Sequence, residues 1–387
     1  MREASHLDRE CFDTTDGEIA LINLNSARLR AWGRFYCDPL RAGIAEGVLE
    51  AEQLTAQFAG DVMALDRLQS MTEHLARSDA ASPRTALIEA QVASMLHRFS
   101  EAGGHLERAR IGGAPSVDVE RLQLNIDQAC GINLDAALKK RRAAAERTGR
   151  LEELVALGAL LADLGRFEDA DETYRKALLQ YRDVSPFPVA WVCFQLGALW
   201  GELVDEPQVV RAEPWYRKAV ACLPCYVTAR VHLAEILAGG GQIVEAKAVL
   251  APALASGDPE VHWRLGDMLT EEGRHAEADV ALEMARSGFE ALLTRHVLAF
   301  ADHGAEFYAG SGNDARRALE LARINLANRP TVRAFQDAYR MAINAAEATI
   351  ADDILAAAAK QWGHTAAFRR SALAQLRAAG TEGAPAW

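Results

Sequence analysis

The sequence predicts an all-α protein, a solenoid of roughly eight stacked helix pairs. Alanine is abundant among the 387 residues and only 12 are proline, which favours helix over a turn-rich β architecture. A pattern of small and large residues also repeats along the middle of the chain, with glycine and proline at the expected helix ends. Because one helix pair cannot bury its own apolar face, such pairs must stack.

The clearest repeat runs from Leu154 to Leu178, where two amphipathic helices join at Gly165. A Leu-Gly or Leu-Ala pair recurs in the first helices, at Leu157-Gly158, Leu196-Gly197, Leu233-Ala234 and Leu265-Gly266. Glycine turns follow at Gly165, Gly241 and Gly273, and closing prolines stand at Pro224, Pro259 and Pro330. The second helices carry a small, a large and a small residue, at Ala170, Tyr174, Ala177; Ala212, Tyr216, Ala219; Ala246, Leu250, Ala253; and Ala278, Leu282, Ala285. The small residues let neighbouring helices approach closely, and the large residue fills the space between them.

This pattern resembles the tetratricopeptide repeat (TPR) family, whose units are helical hairpins of about 34 residues. The clearest units are 151–189, 190–226, 227–258 and 259–298. The resemblance implies a right-handed solenoid. The second unit departs from the standard length because its inter-helix loop, GELVDEPQVVRAEP, is long.

Weaker units can be traced on both sides of these four, within residues 82–109 and 314–362. We therefore predict a repeat array over residues 81–364. Residues 1–80 are predicted to form an N-terminal helical region, a degenerate repeat with a cap, and residues 365–387 a capping helix with a short tail.

The charge balance is acidic, with 42 Lys and Arg against 54 Asp and Glu and a net charge of −12. It argues against nucleic-acid or anionic-membrane binding, which need a basic face. The dense basic run, Lys139 to Arg142, would spread over all faces of a helix and so suits a solvated helix. The longest uncharged run, Val184 to Gly201, is interrupted by prolines and predicts a buried helix, without insertion into a membrane.

A cytoplasmic location is predicted from the cysteines and the N-terminus. The thin spread of the cysteines along the chain is typical of reduced thiols and not of a disulfide scaffold. They are Cys11, Cys37, Cys130, Cys193, Cys222 and Cys225. The first residues, MREASHLDRECFDTTDGE, lack the apolar segment of a signal peptide. The composition suggests a bacterial protein.

Two groups of residues could in principle bind metal. Cys222 and Cys225 form a C-x-x-C pair, but no second pair completes a zinc site, and a turn between repeats explains their position. His296, His303 and Glu306 would share one face of a predicted helix. Since residues seven apart are about 10.5 Å apart along a helix, ordinary hydrogen-bonded histidines are favoured. No cofactor is predicted.

The stripe opposite the packed face of each first helix must line the concave surface of the stack. The partner-binding residues predicted from this stripe are Trp191, Phe194, Glu202, Glu235, Trp263, Asp267 and Glu271. Aromatic anchors among carboxylates suit a basic, apolar peptide or helix. The alternative is that Trp191 and Trp263 pack between repeats.

No catalytic signature is visible, with neither a phosphate-binding loop nor a nucleophile motif. The sequence therefore predicts a scaffold or adaptor that binds another protein and is not an enzyme. Two alternatives stay open: a metal- or cofactor-handling accessory protein, and a non-catalytic subunit of an enzyme complex. The sequence leaves the oligomeric state open.

Overall fold

The computed structural model of the protein describes residues 12–381. These residues form twenty α-helices and no strand, which confirms the predicted all-α fold built from helical hairpins. The first ten helices are α1 (Gly17–Cys37), α2 (Ile44–Ala59), α3 (Met63–Asp79), α4 (Pro83–Met95), α5 (Phe99–Ile111), α6 (Ser116–Ala129), α7 (Leu134–Thr148), α8 (Leu151–Asp163), α9 (Phe167–Gln180) and α10 (Pro186–Ala198). The other ten are α11 (Val209–Cys222), α12 (Val227–Gly239), α13 (Ile243–Leu250), α14 (Pro259–Glu271), α15 (His275–Ala309), α16 (Ala315–Asn328), α17 (Val332–Asn344), α18 (Ala348–Trp362), α19 (Ala366–Arg370) and α20 (Ala372–Thr381). A π-helical turn, Leu199–Leu203, extends α10, and a 3₁₀ turn, Ala251–Ala253, extends α13.

In three of the four clearest repeats, a glycine of the first helix accommodates the large residue of the following helix. A Cβ atom at Gly158 would lie 2.7 Å from the ring of Tyr174, and one at Gly197 would lie 2.6 Å from the ring of Tyr216. A Cβ atom at Gly266 would likewise lie 2.7 Å from the side chain of Leu282. The recurring Leu-Gly pair is therefore a packing requirement of the hairpin, since any larger residue would push the two helices apart.

The glycine turns are also where they were predicted. Gly165, Gly241 and Gly273 have φ angles of 70°, 76° and 74°. These left-handed conformations end the first helix of three hairpins at little steric cost, because glycine has no Cβ.

The described residues gather into two compact units that interleave along the chain. The first unit comprises the described part of Met1–Ile126 together with Tyr181–Gly197 and Glu213–Ala291. The second comprises Asp127–Gln180, Ala198–Ala212 and the described part of Leu292–Trp387. Neither unit coincides with the predicted segments 1–80, 81–364 and 365–387, because each joins stretches that are distant in sequence.

In the first unit, the N-terminal helices pack against the middle of the chain. Gly17, the first residue of α1, lies so close to the turn after α11 that a Cβ atom would meet the carbonyl oxygen of Cys222 at 2.6 Å. The ring of Phe58 lies 4.7 Å from that of Tyr226 and 5.2 Å from that of Phe187. Helices α1 and α2 are thus anchored on residues about 130 to 205 positions further along the chain.

In the second unit, the C-terminal helices pack against segments that precede α10. A Cβ atom at Gly131 would lie 2.7 Å from the ring of Trp362, and one at Gly165 would lie 3.4 Å from Ala367. The Arg370 guanidinium also donates a hydrogen bond to the carbonyl oxygen of Gly165. Helices α18 and α19 therefore belong to the core of a unit that also contains α8 and α9.

The prediction that His296 and His303 share one face assumed a single straight helix. Helix α15 is not straight in this region. The backbone of His296 is non-helical, with φ −140° and ψ 51°, so a kink separates the two histidines. Their seven-residue spacing therefore does not put them on one face. The physical reason is that helical periodicity holds only where the backbone stays helical.

None of the described helices has the length and hydropathy needed to cross a membrane. The uncharged run from Val184 to Gly201 forms α10 and part of the π-helical turn, and many of its side chains are buried, as predicted.

Candidate functional site

Six of the seven predicted partner-binding residues lie on three first helices of the first unit. Trp191 and Phe194 belong to α10, and Glu235 belongs to α12. Helix α14 carries the other three, Trp263, Asp267 and Glu271. We call the surface formed by Trp191, Phe194, Glu235, Asp267 and Glu271 the three-helix face.

An aromatic pair forms one end of the three-helix face. The rings of Trp191 and Phe194 are stacked, with centroids 6.2 Å apart and an interplanar angle of 28°. Both side chains are half-buried. Phe194 rests on two buried rings, Tyr216 at 5.6 Å and Tyr226 at 5.4 Å. The pair is therefore held rigidly from below while solvent reaches its outer side.

His232, to which the sequence analysis gave no role, links the aromatic pair to the acidic residues. Its ring lies 5.3 Å from Phe194 in an edge-to-face contact and is stacked on Tyr216 at 5.6 Å. It precedes Glu235 by three residues on α12, so the two share a helix face. The three-residue spacing of His232 and Glu235 is the sequence feature that could have identified His232 as part of the face.

The acidic part of the face holds an arginine that the stripe analysis missed. Arg264 Nη2 lies 3.1 Å from Glu235 Oε2, and Arg264 Nη1 lies 3.8 Å from Asp267 Oδ2. The Arg264 side chain is only 17% exposed, and its guanidinium lies 3.9 Å over the ring of Trp263. Two of the predicted carboxylates are thus ion-paired, while Glu271 is exposed. The face is less acidic than its carboxylates alone suggest.

Trp263 is not an exposed anchor, contrary to the expectation from the stripe. It is 6% exposed and contacts Phe289 of α15 edge to face, at 6.2 Å. Trp263 precedes Gly266 by three residues and so lies on the side of α14 that packs against α15. Because Phe289 lies in the same unit, 259–298, Trp263 packs between the two helices of one repeat, and the predicted alternative of packing between repeats is not what this contact shows.

Glu202 belongs to the second unit, in the π-helical turn, and takes part in a mixed-charge cluster around Arg333. Burial works against the charge of Arg333, whereas the carboxylates of Asp337, Glu306 and Glu202 raise the pKa of its guanidinium above the ordinary value. Glu306, one of the three residues considered above as metal ligands, therefore has an arginine as its electrostatic neighbour.

Asp163 is a carboxyl of the second unit whose pKa is shifted by its surroundings. Its side chain is exposed to solvent on one side, and the loss of solvation caused by the neighbouring protein atoms raises the pKa of the carboxyl above its ordinary value. A hydrogen bond from Gln128 Nε2 at 2.6 Å and the charges of Arg329 and Arg141 oppose the shift.

A cleft of about 610 Å³ opens beside the π-helical turn of the second unit. Its lining residues are Arg166, Phe167, Glu168, Asp169, Trp200, Val204, Asp205, Glu206, Gln208, Arg370 and Gln375. The indole of Trp200 is held by a hydrogen bond from Nε1 to Asp171 Oδ1 at 2.7 Å and by the Arg211 guanidinium over its ring. In the sequence, the loop between α10 and α11 stands out only by its unusual length.

The other candidate residues have structural surroundings. His296 is buried and His303 is exposed. Cys222 Sγ lies 3.6 Å from the carbonyl oxygen of Pro186, and burial raises the pKa of the Cys225 thiol to about 11. No cluster of three His, Cys, Asp or Glu suited to a metal ion occurs within the part of the chain that the structure describes.

In the basic run, Lys139, Lys140 and Arg142 are exposed and Arg141 is buried. The run therefore spreads over several helix faces, as predicted.

No family model and no curated protein matches this sequence. Among solved structures, the APC/C hetero-tetramer Cut9–Hcn1 is 13% identical over 88% of this chain, with a TM-score of 0.44. The match covers 64% of the other chain, so this protein spans just under two thirds of its length. YrrB, described as a TPR protein with an unusual peptide-binding site, is 23% identical over 49% of this chain and 92% of its own, with a TM-score of 0.29.

Yeast Tom70 is 12% identical over 93% of this chain and 96% of its own, with a TM-score of 0.34. Identities below 25% and TM-scores under 0.5 assign neither a family nor an activity to this protein.

Proposed function

We propose that this protein is a non-catalytic scaffold of the TPR kind that binds a basic, apolar segment of a partner protein on the three-helix face. The observation that carries the proposal is the solvent-accessible Trp191–Phe194 pair, supported by the buried Tyr216 and Tyr226. Binding energy concentrates at rigid aromatic side chains, because they bury much apolar area and lose little conformational freedom.

The ion pairs of Arg264 support a basic ligand. Glu235 and Asp267 already bind one guanidinium, so their positions suit the planar fork of an arginine. A partner cation would add to Glu271 or compete with Arg264 for Glu235. Exposed carboxylates of this kind mainly speed association, so added salt should slow binding.

The non-catalytic role rests on the helical-repeat architecture, in which stacked hairpins present extended surfaces to other proteins. Thiols kept protonated by burial, as at Cys225, are consistent with a reducing compartment such as the cytoplasm.

The test is a peptide array in which apolar content is constant and net charge varies from negative to positive. We expect binding to rise with positive charge, and Trp191→Ala to weaken it by about 2 kcal/mol, or roughly 30-fold. Glu235→Lys should reduce binding of the positive peptides, whereas Glu283→Lys, an exposed charge on α15, is the matched control.

Circular dichroism of each variant checks that the fold is retained. Binding that is independent of peptide charge, or that is unchanged in Trp191→Ala, would contradict the proposal.

A further inference from the structure

Helix α1 exposes a row of large apolar side chains on the face turned away from the other helices of the first unit. Ile19 is 53% exposed, Ile22 64%, Leu29 70% and Tyr36 76%. The opposite face of α1 is buried through Ala20, Leu24 and Phe35. An exposed apolar row of this kind invites association with another surface.

The exposed residues follow the spacing of a coiled-coil seam. Positions 19, 22, 26, 29, 33 and 36 alternate by three and four residues and cover about 26 Å of helix. The two positions not yet named, Ser26 and Gly33, are small. A Cβ atom at Gly33 would meet nothing within 4 Å, so space is open above it. Glycine inside a helix lowers its stability, which suggests a need for close approach.

We propose that α1 is a dimerisation helix that pairs with α1 of a second copy of this chain in antiparallel orientation. In this arrangement the seam residues of the two helices form layers related by a two-fold axis. Ser26 of each copy lies against Leu29 of the other copy, and Gly33 lies against Ile22. At both ends Ile19 meets Tyr36. Each inner layer therefore combines a large with a small side chain, which is the requirement for close packing of two helices.

Charge complementarity favours a second copy as the occupant and an antiparallel arrangement. Acidic residues, Asp16 and Glu18, stand at the start of α1, and basic residues, Arg30 and Arg34, stand near its end. Antiparallel pairing brings the acidic end of each helix to the basic end of the other, and an isologous two-fold contact does so twice. A parallel pair would instead bring like charges together at both ends.

A small cleft at the basic end adds to this argument. It has a volume of about 380 Å³ and is lined by Arg30, Gly33, Arg34, Cys37, Asp38, Arg41 and Ile44. Three arginines against one aspartate make the cleft basic. In the antiparallel pair it receives the N-terminal end of the other α1, where Asp16 and Ile19 lie.

The test is the mass of the full chain in solution, measured by light scattering at concentrations up to about 100 μM, above the dissociation constants of weak dimers. We expect a dimer that Leu29→Glu converts to a monomer with an unchanged helical circular dichroism spectrum. Val280→Glu, which changes an exposed valine of α15, should remain dimeric.

A second variant tests the geometry. Gly33→Leu fills the small position opposite Ile22, and its Cβ atom would meet nothing within 4 Å inside the chain, so it should weaken the dimer at least tenfold and leave the melting temperature unchanged or higher. Raised salt should weaken an antiparallel dimer, whereas it would strengthen a parallel one.

A full chain that stays monomeric at every concentration overturns the proposal. Radical footprinting of that monomer then distinguishes the other occupants. Protection of Tyr36 would indicate cover by residues of the same chain, and labelling would indicate a site for a different protein. Dimerisation that persists in Leu29→Glu also overturns it.

Discussion

Asp163 shows how the protein around a single side chain in the second unit changes its chemistry. Burial raises the pKa of its carboxyl, against the hydrogen bond from Gln128 and the charges of Arg329, Arg141 and Arg333. A carboxyl whose pKa is higher in the folded than in the unfolded state favours folding only where it is protonated, and this contribution is lost as pH rises through the folded-state pKa.

We therefore predict that Asp163→Asn raises the melting temperature at pH 7, because it removes a charge that burial disfavours. The advantage should shrink as pH falls below the raised pKa and disappear near the ordinary value of 3.8. Thermal unfolding from pH 3 to pH 8 measures it. Asp352→Asn, an exposed aspartate on α18, is the control, and an Asp163→Asn variant that is less stable at pH 7 would contradict the prediction.

At the scale of the element, three helical hairpins share one close contact between a glycine of the first helix and a large side chain of the second. In α8 and α9 this contact is Gly158 against Tyr174, and in α10 and α11 it is Gly197 against Tyr216. The tyrosine rings are buried and have little room to move, so an added methyl group must displace the helix itself.

We predict that Gly158→Ala lowers the stability of the second unit by about 1–3 kcal/mol, the usual cost of overpacking. Gly104→Ala is the matched control, because a methyl group added to that helical glycine would meet no neighbouring atom within 4 Å and alanine favours helix. Denaturant unfolding of both variants distinguishes packing from propensity. Equal effects of the two substitutions would contradict the assignment of Gly158 as a packing residue.

At the scale of the whole molecule, two compact units each join segments that are far apart in sequence. In a strictly linear array, a repeat contacts only its neighbours, so damage at one end stays local. In the second unit, Trp362 of α18 instead packs on Gly131 and donates a hydrogen bond from Nε1 to the carbonyl oxygen of Pro330 at 2.9 Å.

We predict that Trp362→Ala destabilises the second unit by about 3–5 kcal/mol, as expected for a large buried aromatic side chain. Hydrogen exchange should become faster in α8 and α9 as well as in α18, because these helices share the unit. Val210→Ala, at an exposed position, should change neither the stability of the second unit nor the rate of hydrogen exchange in these helices. Faster exchange confined to residues 348–381 would show that the unit does not unfold cooperatively.

The sequence by itself determined the features that depend on neighbouring residues. The helical class, the glycine turns and the contact of Gly158 with Tyr174 lie within one hairpin, so their spacing is visible as a repeat. The positions of Trp191 and Phe194 on a first helix followed from the same periodicity.

Only the tertiary structure decided which distant segments meet. The contacts of Gly17 with Cys222 and of Gly165 with Ala367 join residues about 200 apart, and such pairs leave no periodic signal in one sequence. Tertiary packing also kinked α15 at His296. The face of a helix that becomes buried depends on the helices packed around it, and local spacing records only those that are adjacent in the chain.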